Sequence, residues 1–262
     1  MTSHCEAKPD FNNERPEPKG ENLRELAKIV VDNKLAFGVG FDGDCDRSVF
    51  IDDTGREING SVASAIFIRH LLPAHKGKKS VVMTVDCNSE LNPLTESFGG
   101  KLVWSEVGHG FIGKNVHDHK AVFGGEMSSH FWFEYYPFSD GFLAGLKMAE
   151  LLSNTEKKLS ELVDEAKFCP MLKEYVDCKT HELKEKVKDA LVERFKKEEK
   201  GAVLTRDGIK FFLNELEWIL IRKSNNLPEV CLVIEAKDEK RLSELNKKYR
   251  KIVDDTIAQL KK

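Results

Sequence analysis

Phe41-Asp42-Gly43-Asp44-Cys45-Asp46-Arg47 places three carboxylates at alternate positions directly behind the apolar run Leu35 to Phe41. Like charges held that close repel, so a fold that gathers them calls for a cation to neutralise them. The ligands offered are oxygens, with no imidazole or thiolate partner at zinc-type spacing, which selects a hard ion such as Mg²⁺ over zinc. Arg47 follows at once with a planar, permanently charged donor suited to a phosphate oxygen. The stretch therefore reads as a strand ending in a metal loop beside a phosphate. An EF-hand loop is excluded, because its glycine and glutamate positions hold Arg47 and Asp53. A plain Asp/Gly turn explains neither the strand before it nor the arginine behind it.

Outward from that loop, strand and helix alternate. Arg15-Pro16-Glu17-Pro18-Lys19-Gly20 is a rigid lead-in to a helix with Leu23, Leu26 and Val30 on one stripe. Leu35 to Phe41 is expected as a buried strand and Arg47 to Ile51 as the next, turning at Asp53-Thr54-Gly55. A helix follows from Ser61 to Leu72, stopped by Pro73, then a strand from Ser80 to Val85. Helices from about Ser89 and Phe111 alternate with strands at Leu102–Trp104 and Ala121–Phe123, and Ser139 is the expected N-cap of a helix to Leu152. This alternation predicts an α/β layer with an inner sheet and outer helices.

The character shifts near Lys167. A highly charged helix from His181 to Lys197 carries Leu183, Val187 and Leu191 on one face, and its lysines read as a solvated outer surface. Strands are expected at Ala202–Leu204, Ile209–Leu213, Trp218–Arg222 and Val230–Glu235, then a last helix with Leu242, Leu245, Tyr249 and Ile252 aligned. This part reads as a separate α+β domain.

Composition narrows the function classes. The chain has 262 residues, 32% of them charged, yet a net charge of only −3, which leaves no electrostatic footprint for nucleic acid. No apolar run approaches the length of a membrane span, and Met1 to Asp10 lacks the basic and apolar regions of a signal peptide. Six scattered cysteines without C-x-x-C pairs suit free thiols in a cytoplasmic protein better than a disulfide framework.

Three further constellations carry chemistry. Gly124-Gly125-Glu126-Met127-Ser128-Ser129-His130 follows a strand and gathers a carboxylate, two hydroxyls and an imidazole, a set able to grip vicinal sugar hydroxyls. In isolation it is equally a tight turn with a surface histidine. Val107-Gly108-His109-Gly110-Phe111 sets a second histidine near a helix start, as a donor or merely a cap. Arg222-Lys223-Ser224-Asn225-Asn226-Leu227-Pro228 lies between two strands and offers a donor-rich pocket for a phosphate, though composition alone favours an ordinary turn closed by proline.

Taken in order, these pieces resemble the α-D-phosphohexomutase family, which includes phosphomannomutase, phosphoglucomutase and phosphoglucosamine mutase. Asp42 to Arg47 is similar to its D-G-D-x-D-R metal loop, Gly125 to His130 to its G-E-M-S-G-H sugar loop, and Arg222 to Pro228 to its R-x-S-N-T-x-P phosphate loop. Pro16-Glu17-Pro18…Glu21-Asn22-Leu23 and Gly108-His109…Phe111-Ile112 match as well. Departures are Ser129 for the family glycine, Asn226 for threonine, and Asp86 where some members place a substrate-facing lysine.

The resemblance implies an α/β fold of layered domains followed by an α+β domain. Residues 1–55 would be the second half of the family's domain two with the metal loop, 56–165 domain three with the sugar loop, and 166–262 domain four with the phosphate loop. It implies transfer of phosphate between O1 and O6 of a hexose through hexose 1,6-bisphosphate. Mg²⁺ would sit on Asp42, Asp44 and Asp46, with Arg47 on the phosphoryl oxygens. Glu126, Ser128 and His130 would hold the sugar, and Arg222, Ser224, Asn225 and Asn226 the phosphate that is not reacting. His109 or His130 would assist proton transfer. The family's phosphoserine run, of T-A-S-H-N-P type, has no counterpart; Thr2-Ser3-His4 lacks the asparagine and proline. The expectation is a mutase chain without its phosphoryl donor, inactive alone, with an uncovered apolar surface and a partner chain supplying the missing region. Two other readings stand beside it. One is an aspartate-nucleophile phosphatase with Asp42 attacking and Asp44 as acid; the other is a non-catalytic sugar-phosphate-binding remnant. Neither nucleic acid nor membrane is an expected partner.

Overall fold

The computed structural model describes residues 1–262 except 4, 5, 7, 10–15, 135, 200 and 262. His4, Cys5 and the first residue of the expected lead-in, Arg15, lie outside the described residues. The chain forms two compact units, Met1–Lys167 and Phe168–Lys262.

In the first unit a 3-10 turn (Gly20–Leu23) runs into α1 (Arg24–Asp32), which covers a meander of β1 (Phe37–Phe41), β2 (Ser48–Asp52) and β3 (Glu57–Ile58). Every residue of β2 is buried, because both of its faces are covered: Val49 and Ile51 pack with Leu23 and Val30 below α1, while Phe50 points to the opposite layer. β1 was expected to be buried but is largely half-buried. It is an edge strand paired only with β2, and its outer face meets Phe142, itself 57% exposed, through Phe41 at 4.5 Å.

A second sheet in the same unit has the order β5-β4-β6-β7, from β4 (Ser80–Thr84), β5 (Lys101–Ser105), β6 (Phe123–Gly125) and β7 (Phe131–Phe133). β4 pairs parallel with β5 and β6, and β7 closes the edge antiparallel to β6. The helices are α2 (Gly60–Ala74), α3 (Leu91–Ser97), α4 (His109–Asp118), α5 (Gly141–Ser153) and α6 (Leu159–Glu165). Phe67 of α2 lies 5.3–6.0 Å from the rings of Phe50, Phe123, Phe131 and Phe133. One aromatic core thus joins the metal hairpin to the parallel sheet, and residues on both sides of the expected 55/56 boundary share a single compact unit.

Three local expectations shift. α2 runs one turn-end past Pro73, which sits inside the last turn of the helix. The N-cap of α5 is Asp140, whose carboxylate accepts from Leu143 N, and Ser139 is used elsewhere. β7 and α6 were not expected from the sequence.

The second unit is a five-stranded antiparallel sheet in the order β8-β12-β11-β10-β9. Its strands are β8 (Met171–Asp177), β9 (Val203–Thr205), β10 (Gly208–Asn214), β11 (Glu217–Lys223) and β12 (Glu229–Glu235). α7 (His181–Glu198) and α8 (Glu239–Leu260) cover one face, with Val187, Leu191, Phe195, Leu245, Tyr249 and Val253 in the core. β8 was not foreseen.

Candidate active site

The expected metal loop, Asp42–Arg47, joins β1 to β2, whose last ladder pair is Phe41 with Ser48. Asp42 is 6% exposed and holds the loop from inside. Its Oδ1 accepts from Arg47 N at 3.1 Å and its Oδ2 from Arg47 Nε at 2.7 Å. Burial would raise this carboxyl, but the Arg47 backbone N–H and guanidinium outweigh burial and hold it below the ordinary aspartate value. Asp46 moves the other way. Burial lifts it, the His130 ring opposes, and the neighbouring Asp42 and Asp44 add to the lift.

One carboxylate oxygen each from Asp42, Asp44 and Asp46 lies within 4.8 Å of the others. An all-oxygen donor set of accumulated negative charge fits a hard cation. Cys45 stands within the loop at φ 60°, and burial together with the flanking aspartates pushes its thiol up.

The sugar-loop residues form the turn of the β6–β7 hairpin. Glu126 N donates to His130 O at 3.0 Å and Ser129 N to Glu126 O at 3.0 Å. Ser129 adopts φ 68°, the left-handed conformation in which glycine is at ease. That turn is stitched to the metal hairpin: Arg47 and His130 form a bridge pair, and Ser48 N donates to Ser129 O at 3.1 Å.

Between the two loops stands His130. Its Nε2 lies 3.2 Å from Asp46 Oδ1 and its Nδ1 3.2 Å from Glu126 Oε2. Ser128 Oγ donates to Glu126 Oε2 at 2.7 Å and lies 3.0 Å from His130 Nδ1. Glu126 is 3% exposed, and its Oε1 is a buried oxygen without a hydrogen-bond partner among the described residues. Such an acceptor has a free lone pair for a ligand hydroxyl. His109 opens α4 after Gly108 and its ring stands 5.7 Å from that of His130 and 5.3 Å from Trp132. Asp42, Asp44, Asp46, Arg47, His109, Glu126, Ser128 and His130 therefore meet in one place.

Two features that sequence reasoning missed hold this arrangement. Ser139 Oγ donates to Asp46 O at 2.7 Å and accepts from Phe131 N at 3.1 Å, clipping the metal loop to the start of β7. Gly141 N donates to Cys45 O at 2.9 Å, and a Cβ at Gly141 would stand 2.7 Å from Arg47 O. No local signal marks either role, since the metal-loop partners lie far upstream, Asp46 being 93 residues before Ser139.

The expected phosphate loop belongs to the second unit and links β11 to β12. Arg222 is 5% exposed and its Nη1 pairs with Asp207 Oδ2 at 3.1 Å. Lys223 Nζ pairs with Glu185 at 2.8 Å. Ser224 Oγ accepts from Leu227 N at 3.2 Å, and Asn225 and Asn226 form the exposed tip. Both cations of the loop are thus held by carboxylates.

The fold is similar to that of solved phosphoglucomutase/phosphomannomutase structures. It superposes on a phosphoglucomutase/phosphomannomutase family protein from Burkholderia thailandensis with a TM-score of 0.79 at 24% identity, over 94% of this chain and 53% of that one. Residues 59–168 match the family described as phosphoglucomutase/phosphomannomutase, alpha/beta/alpha domain III, and residues 1–55 the corresponding domain II. The chain belongs to the phosphoglucomutase/phosphomannomutase family. It is 31% identical to a probable phosphoglucosamine mutase of Methanopyrus kandleri, over 97% of this chain and 56% of the relative. To a phosphomannomutase of Methanocaldococcus jannaschii it is 30% identical over 96% of this chain and 56% of the relative. The chain spans about half the length of the curated relatives it matches. No helix among the described residues is long and apolar enough to cross a membrane.

Proposed function

We propose that this chain supplies the metal, sugar and phosphate sites of a Mg²⁺-dependent phosphohexomutase that interconverts hexose 1-phosphate and 6-phosphate through the 1,6-bisphosphate. The reading divides the chain at 1–55, 56–165 and 166–262, with one loop in each part, and sets it in the cytoplasm. One observation carries it: His130 spans from Asp46 of the metal loop to Glu126 of the sugar loop with 3.2 Å on either side. Phosphoryl transfer relies on positioning and on neutralisation of charge, and this bridge sets a carboxylate cluster next to an acceptor for hydroxyls.

Asp42, Asp44 and Asp46 would hold the ion, which when bound offsets charge on the transferring phosphoryl group. Arg47, fixed by Asp42, would steady the phosphoryl oxygens. Glu126 would accept from ring hydroxyls through its open Oε1, with Ser128 locking its other oxygen. His130 or His109 would carry the proton between sugar hydroxyl and solvent, and Ser224, Asn225, Asn226 and Arg222 would anchor the distal phosphate. An aspartyl phosphatase would leave Asp46, Arg47 and the loops at 124–130 and 222–228 without a role, which favours the mutase reading.

Relatives named phosphoglucosamine mutase and phosphomannomutase both match, so glucosamine and mannose phosphates are the substrates to offer. On α5, Phe142 and Leu146 are 57% and 69% exposed one turn apart, with Phe138 at 61% just before the helix. An apolar stripe of that kind supports a partner that supplies a phosphoserine-bearing region.

The test is ³¹P NMR of the chain with Mg²⁺, catalytic hexose 1,6-bisphosphate and either mannose or glucosamine 1-phosphate. Mg²⁺-dependent line broadening without conversion is expected, with 6-phosphate appearing once the phosphoserine region of a relative is added. Absence of broadening, or an aspartyl-phosphate trapped on Asp42, overturns the proposal.

A further inference from the structure

Lys184 lies on a helix whose other lysines are exposed or half-buried, yet it is 4% exposed. Its Nζ donates to Ser224 O at 2.9 Å and to Leu227 O at 3.1 Å, and lies 3.2 Å from His181 Nδ1. Those contacts account for the three protons of an ammonium. Among the described residues no carboxylate pairs with it, whereas Arg222 has Asp207 and Lys223 has Glu185. A buried charge normally has a counter-ion, because taking it out of water costs several kcal/mol. This one instead sits directly beneath the loop that joins β11 to β12.

The two carbonyls it holds help set the loop's conformation, beside Leu227 N on Ser224 Oγ and Glu229 N on Leu227 O. The chain has no cis peptide bond among its described residues, so a Ser224 carbonyl turned down to Lys184 turns the Asn225 N–H up, away from it. The backbone N–H groups of Asn225 and Asn226 donate to no described residue and both residues are exposed. Successive free N–H groups on a turn form a concavity for an anion. A compensated cation would leave that concavity neutral below; an uncompensated one makes the whole loop a positive seat.

We propose that Lys184 is a positioning residue for phosphate binding: by holding the Ser224 and Leu227 carbonyls it pins both ends of the tip and turns the Asn225 N–H outward to an anion beside the free Asn226 N–H, and its unpaired charge is balanced only when phosphate occupies the loop. The inference rests on reading 222–228 as a phosphate loop. It adds a residue outside the loop whose charge decides the loop's affinity.

The experiment uses the full ¹⁵N-labelled chain, titrated with inorganic phosphate and with glucose 6-phosphate, and reads the Asn225 and Asn226 amides alongside the melting temperature. Lys184→Met is expected to weaken phosphate binding about tenfold, the usual weight of one charge-assisted contact. His181→Glu is the second variant, because it leaves the lysine in place and gives it a carboxylate at the first position of α7. It is expected to raise the melting temperature, by pairing the ammonium and by favouring the helix N-terminus, while weakening phosphate binding. A purely structural lysine would gain stability from His181→Glu with no loss of phosphate. Unchanged affinity in that variant therefore overturns the positioning role even if Lys184→Met fails to fold. If wild-type Asn225 and Asn226 amides do not move with phosphate, the loop reading falls and this inference with it. If they move equally in wild type and both variants, only the inference falls.

Discussion

Neutralising Asp44 should push stability and metal affinity in opposite directions. Asp44 is exposed, while Asp42 and Asp46 are tied to Arg47 and His130. Its carboxylate lies within 4.8 Å of both neighbours, and Coulomb repulsion at that distance in a water-like dielectric is about 0.9 kcal/mol per pair. Two pairs, reduced by physiological salt, leave a net penalty of about 1 kcal/mol in the metal-free protein. Asp44→Asn removes that penalty, so in EDTA the variant is expected to melt about 2–4 °C above wild type. With Mg²⁺ the order reverses. Saturating ion at about 100 times its dissociation constant stabilises wild type by about 2.7 kcal/mol, and the variant, short of one ligand, gains almost nothing. Differential scanning calorimetry in EDTA and in Mg²⁺ gives the four melting temperatures needed. A variant that melts below wild type in EDTA, or that keeps the wild-type Mg²⁺ shift, refutes the reasoning that these carboxylates are gathered for a cation.

Other expectations follow from single contacts. A Cβ at Gly60 would stand 2.1 Å from Glu126 O and 2.8 Å from Met127 O, so Gly60→Ala must displace the sugar loop; a loss of about 1–3 kcal/mol is expected, with weaker sugar-phosphate binding by calorimetry. Ser129→Gly should stabilise the protein by about 0.5 kcal/mol in urea titrations, since left-handed strain costs a serine about 1–2 kcal/mol and the added chain entropy returns part of it. Asp52 is wholly buried, and although burial pushes its carboxyl up, hydrogen bonds from Thr54 and Arg56 outweigh this and hold it below the ordinary value. A depressed folded pKa gives stability that is complete above the unfolded value and lost as pH falls through the folded one. Urea midpoints should thus drop below about pH 4, and Asp52→Asn should cost about 2 kcal/mol at pH 7 and flatten that drop.

Much of the candidate site was legible because its proposed chemistry is local. The run Asp42–Arg47 packs three carboxylates, a turn and a guanidinium into consecutive residues, and the turn between β6 and β7 gathers a carboxylate, hydroxyls and an imidazole in the same way. The glycine-to-serine change at Ser129 marked a position whose backbone demand appears only as φ 68°. Ser139 was misread because it precedes an equally good cap, Asp140; Asp46 O and Phe131 N claim its hydroxyl first. Lys184 looked like one more solvated lysine, since helical periodicity does not report the two carbonyls that draw it inward. The run Phe131-Trp132-Phe133 was too short to read as a strand until its pairing with β6 is seen.

By itself the sequence determined the alternation of strand and helix in outline, without β7, α6 and β8, together with the family resemblance and the clusters of carboxylate, hydroxyl and cationic groups proposed to bind metal, sugar and phosphate. These follow from spacing along the chain, where charge repulsion, turn geometry and hydrophobic period act between near neighbours. Tertiary structure alone decided that Phe67 fuses the metal hairpin to the parallel sheet and that His130 bridges Asp46 to Glu126. It also left one ammonium buried beneath Ser224 and Leu227 with no carboxylate partner among the described residues. Each depends on contacts between residues far apart in sequence, whose energies are set by burial and distance.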